Sequence, residues 1–496
     1  MLAEVAYLTD VEGNLAYFDR WVLHSRVLRY APSSPTRLEL THANAHFVYG
    51  GDVVDRGDGN RRLLERLVRL KQDFPSRVHL LAGNRDLNKL RFSSELSDAD
   101  MARPYTSIPK PHWSPSVPSL AEHLEDLSRR LGTPAAALDS RAERLRYYYT
   151  HTLGCPTTFE MRRAELALLS GRQPQEVSDE EVVEEARADV MPNGVMRQYL
   201  ECAELAVILG NTLFVHGAID AATMGVVPDD STPFSLPTEP YPVRRVDGVH
   251  EWAAAMNAFL RRGLADHAAR PEWDEARTAR GGEQLLAVQN REASWGRTIV
   301  SNCYCDGGTI TSTAAALRRA EFLSRPPSDA FAFAALCSDP RDQRVADWLA
   351  SASIRRVVVG HKPSGDSPAV LSSRYTGVEL ISADTSYADP QAADGRGQSV
   401  ACVLLRGPSL DENHSLVYGT LADGRRHEAR LATLGGAADG EGGDPHVGVE
   451  LEDGWWVKAR LCEEGAGGGA RYVCCRGAGR EVEYKEVPEE ELVHAV

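Results

Sequence analysis

Basic charge is scarce in this sequence: 55 lysines and arginines stand against 71 aspartates and glutamates, leaving a formal net charge of −16 over 496 residues. A non-specific nucleic-acid binder gains its affinity by counterion release on a basic surface, so that class is disfavoured, and a nuclease with it. A small phosphorylated substrate is not excluded, because a few arginines and bound metals can form one positive pocket on an acidic body. No apolar run is long enough to span a bilayer. The start, from Met1 into Tyr7-Leu8-Thr9-Asp10, lacks a basic segment ahead of an apolar one and a cleavage-type site, so no secretory signal is read there. Nine cysteines, an odd number, are scattered along the chain. Cys303 and Cys305 are too close together for a zinc knuckle, and Cys474–Cys475 has no second pair at zinc spacing. Free thiols in a reducing, cytoplasmic setting are the expectation. There is no internal repeat of fixed period.

What is present is a series of short apolar runs that stop at polar or glycine turns. Glu4–Leu8 meets Thr9-Asp10, His46–Tyr49 meets Gly50-Gly51-Asp52, and Val78–Leu81 meets Gly83-Asn84-Arg85-Asp86. Ala206–Leu209 and Thr212–Val215 flank Gly210-Asn211, which suits a tight hairpin turn, and the second run ends at His216. Val357–Val359 meets Gly360-His361, and Val378–Ser382 meets Asp384. Their length and β-branched content predict strands. Leu15–Leu28 and Arg61–Leu70 have helical apolar spacing, so the alternation predicts an α/β architecture. Two helical insertions break the rhythm, at about 88–204 and 250–345. The first contains helix-like segments Leu120–Leu131, Arg141–Tyr149, Met161–Leu169 and Glu180–Val190. Residues 434–445 read as a glycine-rich linker and 446–496 as a small β-barrel domain, which leaves 1–433 as the main domain.

The residues ending these strands form a set: Asp10, Glu12, Asp52, Asn84 with Asp86, His216 and His361. Ligand sites in open α/β sheets lie at the carboxyl ends of strands. Carboxylate, amide and imidazole groups delivered there suit hard or borderline divalent metals, and a carboxylate shared between two ions makes a hydrolytic centre.

The fragments Asp10-Val-Glu-Gly-Asn14, Gly51-Asp-Val-Val-Asp-Arg-Gly57, Gly83-Asn-Arg-Asp86, Val215-His-Gly217 and Gly360-His-Lys-Pro363 resemble, in order, the signature of calcineurin-like metallophosphoesterases. The Gly-Asp-x-x-Asp-Arg-Gly block has the form seen in phosphoprotein phosphatases and diadenosine-tetraphosphatases. The resemblance covers about 1–90 and 205–405. It implies a β-sandwich core flanked by helices; outside its coverage, the helical insertions read as caps over the sheets, and the aromatic content of the tail resembles that of SH3-like or Tudor-like barrels. The family resemblance also implies two divalent ions, manganese above all, with magnesium, iron or zinc as alternatives. Asp10 and Asp52 would hold the first ion, with Glu12 beside them. Asp52 would bridge to a second held by Asn84, His216 and His361. A hydroxide between the ions would attack phosphorus, and Arg56 would grip the phosphate oxygens.

Two positions depart from that pattern. Glu12 stands where the family has a histidine, which makes the first site all-oxygen and favours manganese or magnesium. Arg85 stands where the family has the histidine that protonates the leaving group, and an arginine cannot act as an acid near neutrality. Asp55, which orients that histidine in the family, is free to pair with Arg85. Leaving groups that need no proton, such as a nucleotide phosphate or a phenol, would then suffer least. The expected partner is a phosphorylated small molecule, a nucleotide or a phosphoprotein, with a protein partner open for the C-terminal barrel. The alternative reading is a catalytically weak relative serving as an interaction module. Blander roles are assigned elsewhere: Asp86 as a helix cap or a brace for the Asn84 loop, Asp384 as a support for the ligands, His151 as structural, and Lys89 and Arg91 on a solvated helix face. The Tyr147–Tyr149 run and the tail aromatics Trp455, Trp456, Tyr472 and Tyr484 are expected in cores.

Overall fold

A computed structural model describes the chain apart from residues 1, 109–116, 218, 220–223, 230–242, 276–278, 290–342, 362, 373–376, 390, 393, 438, 440–441, 452–454, 463–468, 479–480 and 494–496. Much of the second expected insertion, with Cys303 and Cys305, lies outside the described residues, as does Lys362 of the Gly-His-Lys-Pro fragment.

Strands are numbered along the chain. The larger sheet has seven, in the order β16 (Arg426–Leu434), β15 (Asn413–Thr420), β14 (Val400–Gly407), β1 (Ala3–Leu8), β4 (Ala45–Tyr49), β5 (Val78–Leu81) and β6 (Ala203–Glu204). From β1 to β6 the pairings are parallel, and from β1 to β16 they are antiparallel. The second sheet has five, in the order β12 (Ala369–Ser372), β13 (Glu379–Ser382), β11 (Arg356–Val359), β8 (Thr212–Val215) and β7 (Ala206–Leu209). β7 and β8 pair Leu209 with Thr212 across Gly210-Asn211, the hairpin expected from that dipeptide. Two small hairpins, β2 (Leu28–Tyr30) with β3 (Leu38–Leu40) and β9 (Val226–Pro228) with β10 (Val243–Arg245), complete the described two-stranded pieces.

The alternation along β1 shows why the sheets stack. Val5 and Tyr7 face a core shared with Phe214, Val358 and Ile381 of the second sheet, and the Tyr7 and Phe214 rings stack with centroids 5.9 Å apart. Ala6 and Leu8 point the other way, into a core with Phe18 and Trp21 of helix α1 (Leu15–His24) and Leu63, Leu64 and Leu67 of helix α2 (Asn60–Asp73). Both faces of the parallel half are therefore covered, as its continuous apolar runs require. The architecture is mixed α/β, a two-sheet sandwich with helices outside.

Helix α1 starts where Asn14 Oδ1 accepts from Tyr17 N at 3.0 Å. It stops at His24 rather than Leu28, because Ser25 Oγ takes the Val27 and Leu28 amides and sends the chain into β2. The first insertion is helical as expected, over Leu120–Leu131, Arg141–Tyr147, Thr158–Ser170 and Asp179–Ala188. It owns a separate apolar core around Phe92, Leu120, Leu145, Tyr149, Phe159 and Val182, in which Tyr147, Tyr148 and Tyr149 are buried. His151 sits in a short π-helical turn with its ring against His123. The long helix Val249–Ala269 covers the second sheet, with Trp252 and Phe259 fully buried.

The tail contains a three-stranded antiparallel sheet, β17 (Trp456–Arg460), β18 (Arg471–Ala478) and β19 (Glu481–Pro488). Among the described residues no closed barrel forms. Trp455, Val457, Tyr472, Cys474 and Val487 enter the core that lies between the two large sheets. The stretch read as a linker continues β16 as far as Leu434, and Asp444 N then donates to Arg430 O at 2.6 Å. Leu461 bridges to His427 of β16. These contacts join 446–496 to the sandwich core; the apolar area of three short strands is too small to stand alone. The described cysteines are free thiols.

Candidate metal centre and arginine cluster

The turns after β1, β4, β5, β8 and β11 converge. Asp10 N donates to Gly51 O at 3.0 Å, Glu12 N to Asp52 O at 3.2 Å, and Gly360 N to His216 O at 2.9 Å, so the loops are stitched to one another. Five residues there have left-handed backbone: Asp10 (φ 52°), Glu12 (54°), Asp52 (52°), Asp55 (123°) and His361 (73°). Each costs on the order of 1–3 kcal/mol, and such strain concentrates at functional sites. The neighbouring glycines allow the close approach: a Cβ on Gly83 would fall 2.2 Å from Asp52 Oδ1, and one on Gly360 would fall 2.3 Å from Asp10 Oδ2.

Asp52, His216 and His361 bring ligand atoms to within 4.8 Å of one another. His216 Nδ1 lies 2.8 Å from Gly50 O, which makes it the protonated nitrogen and leaves the Nε2 lone pair facing inward. That Nε2 is 3.1 Å from Asn84 Oδ1 and 3.5 Å from Asp52 Oδ1. His361 Nδ1 is 2.9 Å from the same Asn84 oxygen. Acceptor atoms thus converge on one point, an arrangement that a cation relieves, so the donor set fits a divalent metal. Asp10 adjoins this group: its Oδ2 accepts from His361 N at 3.0 Å. Burial, then the Asp384 and Asp52 carboxylates, push Asp10 well above the usual carboxylate range. Burial and Glu12 push Asp384 up to about 7. Even with Arg396 acting on Asp384 and Arg85 facing Asp52, these carboxylates repel each other, which is a second mark of a cation site.

Glu12 lies toward a different group. Its Oε1 is 2.9 Å from Arg85 Nε and 3.3 Å from Arg56 Nε, while its buried Oε2 has no hydrogen-bond partner among the described residues. Arg85 also reaches Asp52 Oδ2 at 3.6 Å and, through Nη1, Asp55 Oδ2 at 3.3 Å. Burial would lower its pKa, but Glu12, Asp55 and Asp52 outweigh burial and raise it well above the ordinary value. Asp55 is fully buried; burial raises it, and Lys89 and Arg85 more than reverse that, leaving it below the usual range. Arg56 lies across the Tyr387 ring, 4.1 Å from its centroid, and donates to Gly154 O at 3.3 Å.

Asp86 braces the Asn84 loop as expected, accepting from the Asp52, Val53 and Gly83 amides at 2.9 Å each. Asp384 is buried and accepts from Ser386 N at 2.7 Å. Lys89 and Arg91 overturn the solvated-face expectation: both are buried, Lys89 Nζ lies 2.8 Å from Asp55 Oδ2, and Arg91 pairs with Glu95 at 2.8 Å. The reason is the first insertion, which covers this helix face. Lys89 follows Arg85 by four residues, a helical spacing that places both on Asp55 and that carried a usable signal. Sequence reasoning also missed Arg396, whose Nη2 donates to Asp10 O from a loop far along the chain, and the Leu153 carbonyl, 3.0 Å from Arg85 Nη1. Neither contact has a local motif.

No family model matches the chain, and no curated protein matches it. Solved structures do. A cold-active protein-tyrosine phosphatase of a psychrophilic Shewanella species is 12% identical over 86% of this chain and 80% of its own, with a TM-score of 0.36. Another structure of a cold-active protein tyrosine phosphatase gives 12% identity, 86% and 79% coverage and a TM-score of 0.37. A protein serine/threonine phosphatase from Saccharomyces cerevisiae, with similarity to human phosphatase PP5, is 11% identical over 82% of this chain and 72% of its own, with a TM-score of 0.29. Among the described residues no helix is long and apolar enough to cross a membrane.

Proposed function

We propose that this chain is a divalent-metal-dependent phosphohydrolase acting on phosphate esters or phosphoanhydrides. The observation that carries the reading is the convergence of Asp52, Asn84, His216 and His361 acceptor atoms beside two guanidiniums. Asp52, Asn84, His216 and His361 would hold one ion. Asp10, with Asp52, would hold a second, and Glu12 Oε2, buried and without a hydrogen-bond partner among the described residues, has acceptor capacity left beside them. Bound ions, manganese-type for so oxygen-rich a set, would supply Lewis acidity and a water nucleophile of lowered pKa. The chain's own part is positional. His216 is fixed by Gly50 O, Asp52 by the Arg85 amide at 2.9 Å, and His361 by Asp10. Arg56 and Arg85 offer planar donors to phosphate oxygens and offset charge on the transferring phosphoryl group.

Arg85 supplies no proton, so leaving groups that depart as anions are favoured: nucleotide phosphates and phenols over alkyl alcohols. The substrate is then a nucleotide, another phosphorylated small molecule or an activated ester on a protein. Metal analysis of the purified protein, followed by turnover of an aryl phosphate with added manganese, tests this. A protein that binds no divalent ion and turns nothing over under several such ions would exclude the enzyme reading. The second reading, a weak enzyme acting as an interaction module, draws on the ion pairs that already occupy Arg85, and that outcome would favour it.

A further inference from the structure

We propose that Lys458, on β17 of the tail sheet, is a positioning residue for the loop that carries His361. Lys458 is only 1% exposed. Its Nζ donates to Ser364 O and, at 3.1 Å, to Ser367 O. Both carbonyls belong to the turn that leads from His361 into β12. The same turn is tied to the loop after β13, with Ser364 N donating to Asp384 O at 2.7 Å and Ser364 Oγ to that oxygen at 3.0 Å. Asp384 lies beside Asp10 and Glu12, whose charges it feels. One ammonium group of the tail therefore binds the His361 turn directly and is linked through Ser364 to the loop that carries Asp384.

The chemistry of the residue supports a role beyond filling space. An apolar chain of equal length would pack β17 against the core, whereas a buried ammonium is costly unless its protons are satisfied. Among the described residues no carboxylate lies within ion-pair distance of Nζ, so the loop carbonyls are its partners. Gly365, between them, has φ +90°, and a Cβ there would lie 2.6 Å from Tyr484 Oη and 3.2 Å from Lys458 Nζ. The turn is shaped to let the lysine and the β19 tyrosine approach it closely.

The inference rests on reading His361 as a metal ligand. It is tested on the full chain with two variants, Lys458→Met from the tail side and Gly365→Ala from the loop side, and with Lys458→Arg as the conservative control. In metal-free protein, hydrogen exchange of residues 360–368 is expected to quicken about tenfold in both variants, while amides of β18 and β19 and the thermal midpoint stay near wild type. Cobalt titration is expected to show about tenfold weaker binding, largely recovered in Lys458→Arg. Wild-type loop exchange in both variants overturns the proposal. So does loosening spread evenly over the tail sheet, which would leave Lys458 a packing role alone. Wild-type protein that binds no cobalt, with the loop still quickened in the variants, sinks the metal reading and supports the brace.

Discussion

Arg85 Nε stands 2.9 Å from Glu12 Oε1, so the guanidinium and the carboxylate beside the candidate centre are each other's partners. Glu12 is buried and Arg85 only partly exposed. Each offsets the other's charge beside the site, with Arg56 also facing Glu12 and with Asp52 and Asp55 also facing Arg85.

The first prediction concerns leaving groups. Replacing Arg85 with histidine places an imidazole next to Asp55, which can orient it as an acid. The ratio of aryl to alkyl phosphate turnover should then fall by about tenfold or more. A substrate panel run on wild type and Arg85→His measures it, and an unchanged ratio counts against the assigned role of Arg85.

Removal of His361 tests the centre itself. His361→Ala should lose stoichiometric metal while folding normally, because the side chain is only partly buried and lies at the end of its strand. Elemental analysis beside circular dichroism gives the answer; full metal content in the variant would move the site elsewhere.

The tail should prove inseparable from the sandwich. Deleting 446–496 strips Trp455, Val457, Tyr472, Cys474 and Val487 from the shared core. At about 1.5–3 kcal/mol for each large apolar side chain, the loss rivals a domain's whole net stability of about 5–15 kcal/mol. The shortened chain is expected to be aggregated or molten; a sharp thermal transition near that of the full chain would refute this.

Arg356 sits wholly buried between the second sheet and β15, bonding Glu379 through Nε and Asn413 Oδ1 through Nη1 at 2.6 Å. Arg356→Met strands the Glu379 carboxylate and should cost about 3–5 kcal/mol by urea denaturation. A cost below about 1 kcal/mol would mean that the pair behaves like a surface one.

Acid sensitivity follows from His427. Burial, then Lys458, lower its pKa from 6.5 to about 3. The folded pKa lies below the unfolded one, so its contribution to stability is intact above pH 6.5. As pH falls the unfolded chain takes up the proton first, and stability drops between pH 6.5 and about 3 by up to about 1.4 kcal/mol per unit. His427→Gln should flatten that limb in denaturation curves taken across the range, and an unaltered slope would assign the acid loss to other groups.

Much of this was legible along the chain. Glu4–Leu8, Val78–Leu81 and the Gly210-Asn211 hairpin announce themselves by apolar content and turn chemistry, which are local properties. The residues that follow such strands, Asp10, Asp52, Asn84, His216 and His361, could be nominated for the same reason, since strand ends in an α/β sheet share one edge. The tertiary structure alone decided the partners. Lys89 and Arg91 read as solvated because helical spacing does not reveal what another segment will cover, and the first insertion covers them. Arg396 reaches Asp10 across 386 residues, and Lys458 reaches Ser364 across 94. The alternating runs of β17 to β19 read as an independent barrel, but periodicity marks which residues will be buried and never against what. The sequence by itself determined the strands, the turns and the kinds of atom at their ends; packing decided which charges meet and that the tail belongs to the core, because burial depends on surfaces that only the folded chain brings together.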